Sequence, residues 1–266
     1  MERESKGAEA PMVIVGAGRI GGALAARAAA LGIPARLCER GRGWEALEGP
    51  AGSPIVVAVR NDDLEAVLAR VPEARRGDLV FVQNGMLDPW LEGHGLSGNT
   101  RGLLYFAVER RGGPIEPGAA SPFVGRHAAA VVRWLGALGV PAVEVDAAAF
   151  AAAMLEKLIW NAAFGLLCQA HGATVGEVCE RHAGELGALF EELAAVGRAA
   201  LGVELATAPL CERLCAYSRS IPGYRGAVKE WRWRNGWFAE AAAAHGVATP
   251  IHARLLDACG LPSAAR

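Results

Sequence analysis

Three glycines follow a short apolar run near the start of the chain, and they restrict the fold more than any other feature. The segment MVIV, Met12–Val15, predicts a buried strand, and Gly16, Gly18 and Gly21 come directly after it in the pattern GxGxxG. The alanine-rich residues that follow predict a helix. Between a strand and a helix, such glycines allow a tight turn, close approach of a pyrophosphate and close helix packing. We therefore predict a dinucleotide site here, formed by Gly16, Gly18, Arg19, Ile20 and Gly21.

Strands and helices alternate through the first 146 residues. The segments ARLCE, PIVVAV and DLVFVQNG predict three more strands, and GLLYFAVER and AVEV predict another two. Near-continuous apolar strands separated by helices indicate a parallel sheet covered on both faces. From residue 147 onward the pattern is almost entirely helical. We predict an α/β chain with a disordered tail at 1–11, a Rossmann-type doubly wound domain at 12–146 and an all-helical domain at 147–266.

Composition and charge argue against several classes of partner. The formal net charge is -1, so no bulk field favours nucleic acid or an anionic membrane. The six cysteines form no CxxC pair, and the six histidines show no HxH or HExxH spacing. These spacings argue against a metal site and a disulfide framework. The charged N-terminus lacks the apolar core of a signal peptide. We therefore expect a cytoplasmic protein without a metal or a membrane span.

The choice between NAD and NADP depends on the end of the second strand. Glu39 lies there, 18 positions after Gly21, and a carboxylate at this place accepts hydrogen bonds from the ribose 2'-hydroxyl of NAD. Arg19, Arg40, Arg42 and Arg60 lie at strand or loop ends of the same predicted edge. Guanidinium groups bind a 2'-phosphate well. The arginines favour NADP, whereas Glu39 leaves NAD open.

An apolar, alanine-rich helix carries two polar residues on one face. Lys157 and Asn161 are one turn apart in the segment EKLIWNAAFG, so their side chains lie side by side. They form either the solvated edge of a buried helix or a polar group in a cleft. A lysine in a partly dry cleft has a lowered pKa and can donate a proton to a carbonyl oxygen.

Five segments carry a resemblance to a known family: VGAGRIGG, AVRN, VQNGM, EKLIWN and SRSIPGYRGAVKEWRWRNG. Their order resembles the ketopantoate reductases, also called 2-dehydropantoate 2-reductases, over residues 12–256. The resemblance implies a Rossmann domain and a helical domain with the active site between them. It implies hydride transfer from a nicotinamide to the ketone of a small, anionic 2-keto acid. By position it implies catalytic roles for Lys157 and Glu230, substrate contacts for Asn84, Asn161 and Ser218, a nicotinamide contact for Asn84, and 2'-phosphate contacts for Arg40 and Arg60.

Glu39, Gly165, Pro222 and the segment KEWRWRNG depart from the pattern of that family. Gly165 stands where the family has a second helix asparagine, and Pro222 where it commonly has aspartate. These departures leave the substrate open. The alternatives are a related dehydrogenase of the β-hydroxyacid, imine or opine type, and a non-catalytic redox sensor that binds NADP. Trp231, Trp233 and Trp237 favour packing or a subunit interface, which is compatible with a homodimer.

Overall fold

The chain forms two compact units in the computed structural model, which describes residues 11–263. The first unit contains residues 11–83 and 88–146, and the second contains residues 84–87 and 147–263. The predicted tail at 1–11 lies, apart from Pro11, outside the described residues. The helical unit begins at Ala147, but it also includes Asn84–Leu87. The sequence prediction had left that short segment in the first domain.

A seven-stranded sheet is the basis of the first unit. Its strands lie in the order β2-β1-β3-β4-β5-β6-β7, and only the pair β5 and β6 is antiparallel. The strands are β1 (Met12–Val15), β2 (Ala35–Cys38), β3 (Ile55–Val57), β4 (Leu79–Phe81), β5 (Thr100–Gly102), β6 (Ser121–Val124) and β7 (Ala142–Glu144). This parallel-dominated sheet confirms the predicted Rossmann-type fold class.

The fifth and sixth strands differ from the prediction. The segment GLLYFAVER predicts a strand after residue 101, but β5 ends at Gly102, and the residues beyond it contribute only a single bridge between Ala107 and Glu116. Phe106 and Val108 are nevertheless buried in the core. The apolar pattern of this segment therefore reports burial and not strand pairing. Strand β6 was missed because Pro122 interrupts a short segment that otherwise suits a strand.

Helices cover the sheet of the first unit. They are α1 (Arg19–Ala30), α2 (Leu64–Leu68), α3 (Asp88–Gly93) and α4 (Ala128–Ala137). Leu24 of α1 and Val131 of α4 are buried in one core cluster with Ile14, Val80 and Phe123 of the strands. The glycine turn between β1 and α1 is thus fixed to a rigid, close-packed core.

The second unit is helical, as predicted. Its helices are α5 (Ala147–His171), α6 (Val175–Arg181), α7 (Ala183–Leu201), α8 (Thr207–Ser220), α9 (Asn235–His245) and α10 (Pro250–Ala258). In the described part of the chain, only α5 has the length and hydropathy of a membrane span, and 61% of that window is buried inside the protein. It contacts α6, α7 and α10. Helix α5 is therefore the central helix of this unit.

A buried ionic cluster fixes the start of β4. Asp78 is fully buried, and its Oδ2 accepts hydrogen bonds from Arg75 Nε at 2.7 Å and from the Gly52 amide at 2.9 Å. Its Oδ1 accepts one from Arg126 and lies 3.2 Å from His127 Nε2. Burial raises the pKa of Asp78, but the hydrogen bonds from Gly52 and Arg75 outweigh it, so this pKa lies below its usual value.

Replacing Asp78 with asparagine should destabilise the protein strongly, because Arg75 would keep a buried charge without its counter-ion. We expect Asp78→Asn to lower the free energy of unfolding by about 3 kcal/mol near neutral pH. Since folding lowers the pKa of Asp78, the loss should shrink as the pH falls through the acidic range in which the native carboxylate protonates. Urea denaturation at several pH values measures this. The exposed Glu73→Gln is the control, and equal stability of the two variants would contradict the prediction.

Candidate functional site

The three glycines of the first turn have different structural reasons. Gly16 has a φ of 108°, and a Cβ there would lie 2.7 Å from the Ala58 carbonyl oxygen. A Cβ at Gly21 would lie 2.0 Å from the Gly16 oxygen. The fold itself thus requires both. At Gly18, which is exposed, the nearest atom to a Cβ beyond its chain neighbours would be the Ala58 oxygen at 3.9 Å. The open space at Gly18 leaves room for a pyrophosphate, and the N-terminus of α1 can bind its negative charge.

A tight turn follows β2 and determines the surroundings of Glu39. The backbone groups of Glu39 and Arg42 exchange two hydrogen bonds, and the Arg42 guanidinium also bonds the Glu39 carboxylate. Arg40, between them, has a side chain that is 95% exposed and lies 3.7 Å from Asp63. The carboxylate expected to bind a ribose is therefore already neutralised, while the guanidinium of Arg40 stays accessible. From the sequence, Arg42 was instead grouped with the arginines that favour a 2'-phosphate.

The remaining candidates of the first unit lie around the same glycine turn or at a strand end. Arg60 follows β3, is exposed and lies 3.9 Å from Asp62. Arg19 opens α1 and donates a hydrogen bond of 3.4 Å to the Glu109 carbonyl oxygen. Ile20 packs partly buried against the core cluster. Arg60 is thus available to a phosphate, whereas Ile20 mainly supports the turn.

Lys157 lies half-buried on α5, in the second unit. The pKa of its ammonium group is lowered to about 7. Burial is the larger cause of this shift, and the nearby positive charge of Arg234 is the second cause. A lysine with such a pKa exists in both protonation states near neutral pH. It can therefore hold a proton and also release it, which an exposed lysine rarely does.

Asn161 and Glu230 are joined by a third side chain, that of Arg234. Asn161 donates to the Lys157 carbonyl oxygen at 2.8 Å, and its Oδ1 accepts from Arg234 Nη1 at 3.2 Å. The other end of the Arg234 guanidinium bonds the Glu230 carboxylate. Lys157, Asn161, Glu230 and Arg234 are named here the lysine cluster. The spacing of four residues between Glu230 and Arg234 was the signal that could have revealed this pair.

The backbone around Glu230 is unusual. With a φ of 49°, Glu230 is the only non-glycine residue among the described ones with a left-handed backbone. Its carbonyl oxygen accepts a hydrogen bond from the Trp233 amide and starts the short turn Trp231–Trp233. Such a conformation costs about 1–3 kcal/mol and is frequent at functional sites. The turn directs the chain so that Arg234 can bond both Glu230 and Asn161.

Buried polar contacts fix the start of α9 against α5. Asn235 donates to the Ala162 carbonyl oxygen at 3.4 Å and pairs with His252 Nε2 at 2.9 Å. Burial lowers the pKa of His252 to about 4, so this imidazole is neutral at physiological pH. The contacts hold the residue after Arg234 close to the residue after Asn161.

Asn84 lies on a short segment that packs on the Trp231–Trp233 turn. The Met86 amide donates to the Trp233 carbonyl oxygen at 2.7 Å. Gly85 has a φ of 99°, and a Cβ there would lie 2.7 Å from the same oxygen. Asn84 itself is exposed. The segment Asn84–Leu87 is therefore attached to the segment that carries Glu230 and Arg234.

Ser218 has a different environment from the one predicted. It is fully buried, donates a hydrogen bond of 2.8 Å to the Leu214 carbonyl oxygen and accepts one of 3.0 Å from Trp160 Nε1. Its hydroxyl thus orients Trp160, which shares the exposed side of α5 with Lys157. This geometry favours an indirect role for Ser218 over the direct substrate contact that the resemblance implies.

Two of the departures from the family pattern, Gly165 and Pro222, are explained by packing. A Cβ at Gly165 would lie 2.9 Å from the Ala227 carbonyl oxygen, because the backbone before Glu230 lies directly on α5. An asparagine at this position would require that backbone to move. Pro222 packs on Gly176, and a Cβ at Gly176 would lie 2.9 Å from the ring of Pro222. Both residues bring the loop between α8 and Glu230 close to the neighbouring helices.

Three side chains in the second unit have atoms close enough for a metal ion: His171, His182 and Glu185 lie within 4.8 Å of one another. However, the two imidazole rings stack at 3.9 Å with an angle of 12° between them. Their in-plane nitrogen lone pairs are then nearly parallel and do not converge on one ion. Glu185 is also paired with Arg254 at 2.6 Å. The absence of a metal stays a prediction, and this group is a poor candidate to refute it.

A family comparison matches a segment of the second unit. Residues 149–261 match the family model described as ketopantoate reductase PanE/ApbA C terminal. This segment contains all four residues of the lysine cluster. A search of curated proteins found no match.

Solved structures with this fold span almost the whole chain. A D-mandelate dehydrogenase with NADH is 15% identical, with a TM-score of 0.74 over 94% of this chain and 97% of that one. A ternary structure of D-mandelate dehydrogenase with NADH and anilino(oxo)acetate is 16% identical, with a TM-score of 0.73 over 94% of this chain and 97% of that one. A dimeric ketopantoate reductase from Staphylococcus aureus is 16% identical, with a TM-score of 0.72 over 94% of this chain and 99% of that one. At these identities the matches establish the fold, and with the family match they confirm the resemblance.

Two glycine variants separate ligand binding from folding. Gly18 has a φ of -72°, so Gly18→Ala should fold normally, but its Cβ would enter the space for a pyrophosphate. We expect the Kd for a reduced nicotinamide dinucleotide to rise about tenfold or more. Gly21→Ala should instead lower the melting temperature, because its Cβ meets the Gly16 oxygen. Fluorescence titrations and thermal melts on both variants test this, and wild-type affinity in Gly18→Ala would refute it.

Proposed function

We propose that this chain, which carries the C-terminal domain of the ketopantoate reductase family on the fold of those enzymes, is a nicotinamide-dependent reductase of a small 2-keto acid. The observation that carries the proposal is Lys157, half-buried beside Asn161 and Arg234 with a pKa of about 7. A ketone that accepts hydride develops negative charge on its oxygen. A lysine with this pKa can stabilise that charge and supply the proton.

The residues of the lysine cluster divide the chemistry. A bound reduced nicotinamide supplies the hydride. The ammonium of Lys157 donates its proton to the carbonyl oxygen and is reprotonated from solvent. The side-chain oxygen of Asn161 accepts a hydrogen bond from Arg234, and its side-chain nitrogen donates one to the Lys157 carbonyl oxygen of α5. Glu230 and Arg234 hold each other and keep a carboxylate and a guanidinium in the same small region.

NADPH is the proposed cofactor. The carboxylate of Glu39 is bonded by Arg42, which weakens its capacity to bind a ribose hydroxyl and its repulsion of a phosphate. Arg40 and Arg60 are exposed and extend from the ends of β2 and β3, where a 2'-phosphate can be bound by guanidinium groups. Free cysteines, six in all, suit the reducing cytoplasm in which we place this enzyme.

An aromatic surface beside Lys157 favours 2-keto acids with an apolar or aromatic side chain. Trp160 lies on the same side of α5, and its ring centroid is 5.2 Å from that of Tyr217 and 6.3 Å from that of Tyr224. These tyrosines are 53% and 45% exposed. Aromatic rings bind apolar side chains with large contact areas. The similar D-mandelate dehydrogenase, described with anilino(oxo)acetate, supports this substrate class.

An assay panel distinguishes the proposal from its alternatives. Ketopantoate, pyruvate and phenylglyoxylate, each with NADPH and NADH, sample small and aromatic 2-keto acids, and imine or opine formation is assayed by adding amines. Binding of NADPH without turnover of any of these compounds would favour the non-catalytic sensor. The same fold with an aromatic surface predicts the highest kcat/KM for the aromatic acid. A homodimer, as described for the similar reductase from Staphylococcus aureus, is part of the proposal and is tested by light scattering.

Removing the Lys157 amine should abolish most of the turnover. We expect Lys157→Ala to lower kcat by about a hundredfold or more, the range typical of a positioned acid. Cofactor affinity should hardly change, since the glycine turn lies in the other unit. In the wild type, kcat/KM should fall as the pH rises through about 7, because the protonated lysine is lost. Lys229→Ala removes an exposed lysine one residue from Glu230 and is the control. Near-normal kcat in Lys157→Ala would end the catalytic role.

The cofactor preference should depend on Arg40. We expect Arg40→Ala to raise the Kd for NADPH about tenfold, equivalent to about 1.4 kcal/mol, and to leave the Kd for NADH nearly unchanged. Fluorescence titration of both cofactors measures this. An exposed arginine outside the strand ends, Arg111→Ala, is the control. A clear preference of the wild type for NADH, lost in Glu39→Ala, would show that Glu39 binds the ribose.

A further inference from the structure

The lysine cluster contains more positive than negative charge when Lys157 is protonated. Arg234 and Lys157 are two cations, and Glu230 is the one carboxylate bonded to Arg234. Arg234 is only 9% exposed, so its charge is poorly screened by water. Its buried Nε has no acceptor among the described residues. The protein thus leaves this guanidinium incompletely satisfied and the cluster one negative charge short.

We propose that Arg234 is a positioning residue that fixes Asn161 and Glu230 by its two-ended hydrogen bonding and makes Lys157 take up a proton when an anionic substrate binds. The proposal rests on the proposed reductase function. Before binding, the fixed charge of Arg234 disfavours a second cation on Lys157. A carboxylate ligand supplies the missing negative charge, so the Lys157 amine gains a proton from solvent. The acid needed for the reaction is then formed with the substrate in place.

The geometry of Arg234 suits this role better than a lysine would. Its Nη1 donates to Asn161 Oδ1 and its Nη2 to Glu230 Oε2, so one planar group spans two partners. An ammonium is a point charge and cannot reproduce this fork. The amide of Asn161 is fixed in turn by the carbonyl oxygen of Lys157, one helical turn earlier. Arg234 therefore connects the lysine-bearing helix to the loop that ends at Glu230.

Three other titratable groups of the second unit have partners of their own. Glu156, the residue before Lys157, is paired with Arg213 of α8 at 2.6 Å. Glu192 of α7 accepts the backbone amides of Ile251 and His252. His252 of α10 is buried and neutral, with its pKa lowered to about 4. Arg234 is the charged group that we expect to set the protonation of Lys157, in addition to burial itself.

The chain offers a direct test because it contains three lysines, Lys6, Lys157 and Lys229. Protein labelled with ¹³C,¹⁵N-lysine gives three sets of side-chain NMR signals, which Lys229→Arg helps to assign. We expect the Lys157 signal of the wild type to titrate near 7. In Arg234→Gln the Lys157 titration should move up by about half a unit or more, while burial keeps it below the usual value.

Binding measurements test the coupling to an anion. Oxamate, an unreactive 2-keto acid analogue, should raise the titration point of Lys157 in the wild type. Calorimetry with oxamate in two buffers of different ionisation enthalpy should show net proton uptake at slightly alkaline pH. This uptake should be smaller in Arg234→Gln, because a larger fraction of its Lys157 is already protonated before oxamate binds. The exposed Arg232→Gln, two residues away, is the matched control and should behave as the wild type.

Kinetics separate positioning from charge. Arg234→Lys keeps the charge but loses the fork, so the alkaline fall of kcat/KM should stay in place while kcat drops. Arg234→Gln should lower kcat and also move the alkaline fall upward. Unchanged Lys157 titration in a folded Arg234→Gln, verified by thermal melts, would overturn the proposal, as would a wild-type Lys157 that titrates at the ordinary value of a lysine. If Lys157 titrates as expected but no 2-keto acid is reduced, the coupling holds and the reductase function fails.

Discussion

The partial burial of one ammonium group is the constraint to which much of the second unit responds. Lys157 lies on α5, the central helix, where a charge loses part of its hydration. A core helix would normally carry an apolar residue at such a position. The protein instead places Asn161 one turn away and Arg234 nearby, so the lysine is surrounded by polar groups that are themselves bonded. Burial and the charge of Arg234 together lower the pKa of this lysine, so that its protonation state changes near neutral pH.

Several apparently unrelated features keep that arrangement in place. Glu230 adopts a left-handed backbone so that the following turn can return toward α5, and Asn235 is fixed by His252 and the Ala162 carbonyl oxygen. Gly165 lets the loop before Glu230 lie on the helix. Each feature carries a local cost or restriction, and the close packing of the helices supplies the compensating stability. Gly165, one of the departures from the family pattern, is thus explained by the close contact between this loop and α5.

The sequence predicted the elements that depend on local patterns. Gly16 and Gly21 were recognised because backbone sterics alone demand glycine between that strand and helix, and the sheet and the helical unit follow from hydrophobic periodicity. The prediction was weaker where apolar residues serve burial without pairing, as after Gly102, and where Pro122 interrupts a strand. For Ser218, its position in a motif could not show that its hydroxyl is bonded to Trp160 and Leu214.

By itself, the sequence determined the fold class, the glycine turn, and the placing of Lys157 and Asn161 on one helical face, because these depend on neighbours within about one turn. Only the tertiary structure decided which distant residues meet them. Arg234 lies 73 residues from Asn161 and bonds it, and Trp233 bonds Met86 from the other half of the chain. The lowered pKa of Lys157 was likewise expected only in direction, since burial and the Arg234 charge that set it arise when the helices pack.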